Sequence, residues 1–182
     1  QGGHHIALRD CHFYNLGSSG VNAVDTTETL LDSCSFANMG DGGITISGGD
    51  RKTLTPSGNR ITNCDIHHFG EWSRCYCLGI SLSGVGIRVD HNSIHDAPQE
   101  ALHYHGNDHI IEYNDFYNLC QDADDSGATH TGRDWTQRGT VLRYNRVHGV
   151  QNLSNADRKV GIVGIYLDDW ASGQILKMFL WE

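Results

Sequence analysis

Six stretches of the chain share one spacing of apolar and polar positions: LRDCHFYNL, LDSCSFANM, ITNCDIHHF, VDHNSIHDA, IEYNDFYNL and LRYNRVHGV. Each is anchored by a thiol or an amide, at Cys11, Cys34, Cys64, Asn92, Asn114 and Asn145. Three residues before the anchor stand Leu8, Leu31, Ile61, Val89, Ile111 and Leu142. Two after it stand Phe13, Phe36, Ile66, Ile94, Phe116 and Val147, and five after it Leu16, Met39, Phe69, Ala97, Leu119 and Val150. Each repeat also holds a second short run: GVNAV, GITISG, GISLSG, ALHYHG, GATHTG and GIYLDD. Apolar and polar residues alternate there, the period of a strand with one buried face, and no stretch shows a helical period.

The anchors lie 23, 30, 28, 22 and 31 residues apart, so a unit near 22 residues repeats with insertions. Such units bury their apolar face only by stacking on one another. The expectation is an all-β coil of short parallel strands, six to seven rungs spaced about 4.8 Å apart, running through residues 1–182 as a single domain.

Composition narrows the function. The net charge of −9 argues against nucleic acid and anionic lipid as partners. The 38% hydrophobic content contains no long apolar run, so no membrane span is expected. With 22 Gly and 2 Pro the chain suits tight turns between short strands. The six Cys do not have the spacing of a small disulfide scaffold. Cys11, Cys34 and Cys64 share the anchor column and read as small buried side chains. Cys75, Cys77 and Cys120 fall in loops, and CYC is too cramped for a zinc pair. No leader is visible, and the chain is expected to be a piece of a longer secreted or periplasmic protein. The apolar tail GQILKMFLWE lacks a closing turn, so the uncapped coil is expected either to bury an end against another copy, by end-to-end self-association, or to lack part of its site.

Alternation assigns the faces of the second run. With Ile44, Ile46, Ile80 and Leu82 inward, Thr45, Ser47, Ser81 and Ser83 point outward. Alignment adds His103 and His105, then Thr129 and Thr131, then Tyr166 and Asp168 to the same outer face. The change from Ser and Thr to His, Tyr and Asp marks a binding surface on the later rungs. Long insertions would wall it, GEWSRCYCLG, QDADDSG and QNLSNADRKVGIVG on one side, GDRKTLTPSG and RDWTQRG on the other. Trp135 and Trp170 follow closely on outward residues and either offer faces to sugar rings or cap the core. His67, His95 and His148, three residues after their anchors, read as a structural stack.

Asp124, Asp125, Arg133, Asp134, Asp168 and Asp169 gather on this face with His103, His105 and His130. Paired carboxylates along a groove suit glycosidic bond cleavage, in which one protonates the leaving oxygen and the other attacks or activates water. His103 and His105 have metal-ligand spacing on a strand, but no third ligand is evident, so no metal site is assigned and no cofactor is required.

The repeat, N-x-I/F followed by G-I-x-L, resembles the right-handed parallel β-helix proteins of the pectate-lyase-like superfamily. The resemblance implies a right-handed single-stranded parallel β-helix, with Asn92, Asn114 and Asn145 forming an asparagine ladder. DDSGATHTGRDW followed by GIYLDDWASG is similar to a signature of bacterial β-helix glycoside hydrolases, some of them α-L-fucosidases or xylanases. It implies Asp125 and Asp168 as the catalytic pair, and a polysaccharide or oligosaccharide as partner. His130 stands where a Tyr is common in that signature. Expected register puts Asp168 level with Thr131, six residues past Asp125, so the loop before Gly127 must fold back over the groove, or Asp134 replaces Asp125. His103, His105, His130, Arg133, Trp135, Tyr166, Asp169 and Trp170 are the candidate substrate contacts. One rival is a polysaccharide lyase or epimerase using Arg133, His105 and Tyr166, with Ca²⁺ bridging a polyuronate to the acidic face. The other is a β-helix that only binds glycans.

Overall fold

The computed structural model describes residues 2–154, 161–177 and 180–181. Three parallel sheets wind around one core. The first holds Ala7–Arg9, Leu30–Asp32, Arg60–Thr62, Arg88–Asp90, Ile110–Glu112, Val141–Arg143 and Ile175–Lys177. The second holds His12–Leu16, Ser35–Met39, Asp65–His67, Ser93–His95, Asp115–Leu119, Arg146–Val150 and Leu180–Trp181. The third holds Val21–Ala23, Ile44–Gly48, Ile80–Val85, Leu102–Asn107, Ser126–Thr131 and Ile162–Leu167. Each strand pairs with its equivalent one turn of the coil away, so the chain is a right-handed parallel β-helix of about six rungs.

The apolar columns become the core. Leu31, Ile61, Val89, Ile111 and Leu142 stack along the first sheet, and Phe36, Ile66, Ile94, Phe116 and Val147 along the second. Each such large side chain contributes roughly 1.5–3 kcal/mol on burial. The corner between these two sheets is a single tight turn in each of the first six rungs. Its first residue takes a positive φ at Asp10, Ser33, Asn63, His91, Tyr113 and Tyr144 (50–58°), and the anchor follows. The left-handed conformation is unfavourable for a side-chain-bearing residue. Bonds between rungs offset it. Asn92 Nδ2 donates to Asn114 Oδ1 and Asn114 Nδ2 to Asn145 Oδ1, both at 2.9 Å. The same oxygens accept the Asn92 and Asn114 backbone N–H groups at 3.0 Å. Cys34 and Cys64 continue the column as buried thiols, and burial pushes the Cys64 thiol up to about 12.

His67, His95, Tyr117 and His148 stack ring on ring outside the second sheet, at 4.9, 4.4 and 5.0 Å between centroids. On the first sheet Arg60 donates to both oxygens of Asp90, at 2.8 and 2.6 Å. Burial alone would raise the Asp90 carboxyl, but Arg60 and His91 outweigh it and hold it at about 2.

One register expectation is corrected. Leu102 pairs with Thr129 and His103 with His130, so the fifth rung sits one residue from the alignment of the flanking glycines. A slip of one residue exchanges the two faces of a strand. Thr129 and Thr131 therefore point inward, at 1% and 0% exposure, and His130 takes the outward position. Thr131 pairs with Leu167, and Asp168 lies one step beyond the strand, against Gly132. The glycines misled because Gly132 follows directly on an inward Thr131, whereas Gly106 follows on an outward His105.

Three outcomes follow. Asn114→Ala strands the Asn92 donors and the Val89 carbonyl, and should cost about 2–4 kcal/mol in denaturant unfolding. Thr129 Oγ1 is buried with no hydrogen-bond partner among the described residues, so Thr129→Val should stabilise by about 1 kcal/mol; an outward Thr129 would give no gain. Asp90→Asn should lower Tm at neutral pH. Because the native Asp90 pKa is depressed, its stabilisation is present above the ordinary carboxylate value and lost as pH falls through about 2. The Tm difference should therefore shrink as pH falls from 4 towards 2.

Candidate functional site

The outer face of the third sheet forms the floor of a groove. Thr45, Ser81, His103, His130 and Tyr166 stand in one outward row, with Ser47, Ser83 and His105 in the next. Insertions wall both edges, and the walls are tied. On one side Arg74 Nε meets Asp122 Oδ2 at 2.6 Å, and Asn152 Nδ2 donates to Ala123 O and Asp124 Oδ1 at 3.0 Å. On the other, Arg51 bonds Asn107 Oδ1, Thr136 Oγ1 and Asp134 Oδ2 at 2.8–2.9 Å. Residues 155–160 of the sixth-rung insertion lie outside the described residues.

A cavity of about 390 Å³ opens on the later rungs. Asp125, Asp168, His103, His105, His130 and Arg133 all line it. Shallower hollows of about 370 and 300 Å³ lie over the earlier Ser and Thr rows. The other candidates stand around the main cavity. Tyr166 stacks on His130 at 4.7 Å and donates its hydroxyl to Asp125 Oδ1 at 2.6 Å. Asp125 thus reaches the groove, the first of the two alternatives left open by the sequence. Asp169 pairs with Arg133 at 3.7 Å. Trp135 and Trp170 stack on each other at 5.6 Å and are 72% and 57% exposed, so they do not cap the core. Asp134 is held by Arg51 and by Thr136 and does not line this cavity.

Sequence reasoning missed Glu100. It precedes the fourth strand of this sheet and is 3% exposed, yet both its oxygens reach the groove floor. Oε2 lies 2.9 Å from His103 Nδ1 and Oε1 lies 2.7 Å from His130 Nδ1. Burial pushes the Glu100 carboxyl up, but the two histidines outweigh it and hold it below its ordinary value. Burial pulls the His130 imidazole down, while Glu100 and Asp168 more than reverse this and raise it. His105 is lowered, first by burial and then by His103. Asp168 is lowered by the Asp169 backbone N–H, against a burial effect, with help from His130 at 3.4 Å. Tyr166 is raised to about 12 by its bond to Asp125. Near neutral pH the site therefore presents ionised Asp168 and Glu100 and a neutral Tyr166. Glu100, His103 and His130 also place three ligand-capable atoms within 4.8 Å of one another, a set that leaves out His105 of the pair singled out by spacing.

The fold and groove define a right-handed parallel β-helix with a charged cleft on one sheet. Residues 1–78 match the family described as right handed beta helix region. No curated protein matches the chain. A solved structure titled "Glycoside hydrolase" is similar, with a TM-score of 0.70 and 16% identity over 97% of this chain and 36% of that one. The chain thus spans about a third of that structure's length and resembles a glycoside hydrolase in its fold.

Arg51→Ala should loosen one wall alone. Amide exchange over residues 132–139 should quicken while residues 126–131 stay protected, with a stability loss of no more than about 1 kcal/mol. Faster exchange across both segments would show that Arg51 supports the sheet itself.

Proposed function

We propose that the protein cleaves glycosidic bonds in a polysaccharide or oligosaccharide lying along the third-sheet groove, with Asp125 and Asp168 as the acting carboxylates. The observation that carries this is their convergence on one cavity from loops of adjacent rungs. Asp168, held in its ionised form by the Asp169 N–H and His130, suits attack on the anomeric carbon or activation of water. Asp125, whose Oδ1 accepts from the Tyr166 hydroxyl, is the second carboxylate, and its other oxygen, once it has taken up a proton from water, delivers that proton to the leaving oxygen. Arg133, His103 and His105 line the same space and can bind sugar hydroxyls. The stacked, exposed Trp135 and Trp170 offer aromatic faces suited to sugar rings. The similar solved structure is itself titled a glycoside hydrolase, which supports the same class of chemistry.

Asp168→Asn and Asp125→Asn should each lower turnover by about 10²–10⁴-fold on a glycan the protein cleaves, measured as new reducing ends. Unsaturated, ultraviolet-absorbing products would instead assign a lyase. Retained glycan binding with no cleavage in the parent protein would assign a binding module.

A further inference from the structure

Neutral histidines cannot satisfy every acceptor on the groove floor. His130 Nδ1 lies 2.7 Å from Glu100 Oε1, and its Nε2 lies 3.4 Å from Asp168 Oδ2. Both neighbours are carboxylate acceptors, so each ring nitrogen needs a positive centre facing it. His103 meets the same difficulty by another route. Thr131 Oγ1 lies 2.6 Å from the Tyr104 carbonyl oxygen and 2.6 Å from Gln137 Oε1. One hydroxyl proton cannot serve two acceptors. The carbonyl takes it, so the Gln137 amide is better assigned with its nitrogen towards Thr131 and its oxygen towards His105 Nδ1. His105 then carries its proton on Nδ1 and accepts at Nε2, 3.0 Å from His103 Nε2. That places the His103 proton on Nε2. Its Nδ1 then faces Glu100 Oε2 at 2.9 Å, a gap that a second proton or a metal ion can fill.

We propose that Glu100, His103 and His130 bind a divalent metal ion of the zinc class, through the Glu100 carboxylate and the two Nδ1 atoms. The three ligand atoms already lie within 4.8 Å of one another. Donors 2.0–2.1 Å from a tetrahedral ion stand roughly 3.3 Å apart, so the present nitrogen–oxygen separations need to open by about half an ångström. Two imidazoles and one carboxylate form the donor set of an open zinc site, whereas calcium takes oxygen ligands alone. The outer ring nitrogens have fitting partners: Asp168 for His130 and His105 for His103. The cavity reaches all three ligands, so a further coordination position faces the groove, where water or a substrate oxygen fits. In the metal-free protein protons occupy these gaps, and the metal displaces them. The site touches the proposed cleavage machinery at Asp168, and its test reads metal binding rather than turnover.

Cobalt(II) is the probe. It is titrated into the metal-stripped full chain, with visible absorption and Tm as readouts and circular dichroism confirming the fold of every variant. The expected result is one equivalent bound with tetrahedral ligand-field bands and a raised Tm. His103→Ala and His130→Ala should each weaken binding by at least about 100-fold, since loss of an outer partner alone can cost that much. His67→Ala, on the second-sheet stack, should leave binding unchanged. Absence of binding in the parent, or equal binding by the parent and folded His103→Ala, would overturn the proposal and leave a carboxylate held between protonated histidines.

Discussion

The groove depends on register. Leu102, Thr129 and Ile165 stand level across three rungs of the third sheet, and alternation then sets the direction of every neighbour. His103, His130 and Tyr166 face out together because those three face in. A shift of one residue in the fifth rung would bury His130 and release Thr131, and the contacts among Glu100, His130 and Asp168 would be lost. Inter-rung bonds at the Asn92–Asn114–Asn145 corner fix the same registers one sheet away. A rigid coil therefore converts small differences in repeat sequence into a change from a Ser- and Thr-lined floor to a charged one.

That floor is stable because its charges are paired. Glu100 is tolerated in a nearly dry position by two imidazoles, and Asp168 shares one of them. The wall loops are joined by ion pairs of long side chains, Arg51 to Asp134 and Arg74 to Asp122. Each exposed pair contributes little stability, but together they hold the edges of an open cleft. A rigid floor, tied walls and two carboxylates from adjacent rungs are what the proposed glycan cleavage rests on.

Much of this was legible in the sequence because stacking imposes columns. The anchor thiols and amides and three apolar columns gave the coil, the number of rungs and the core. The outward rows of four rungs followed from alternation. The fifth failed because Thr129 and Thr131, polar residues in inward positions, hid the period that the other rungs displayed. The corner turns were also hidden: Asp, Ser, Asn, His and Tyr all take the left-handed position, so no residue type marks it. Asp125, Asp168 and their histidines could be gathered on one face from spacing and resemblance. Glu100 could not, because it precedes its strand and belongs to no column. Its importance appears only when two rungs place His103 and His130 on either side of it. Asp134 stood in reserve for Asp125 in one dimension, and the tie to Arg51 from a distant insertion separates them in three.

The most direct measurement is a crystal structure of the protein with a bound oligosaccharide. A glycosidic oxygen lying between Asp125 and Asp168, with the two carboxylates roughly 5 to 10 Å apart, is the predicted result. A sugar seated on the histidine and tyrosine stack of the second sheet would contradict the account. So would a separation beyond about 15 Å with substrate in the groove.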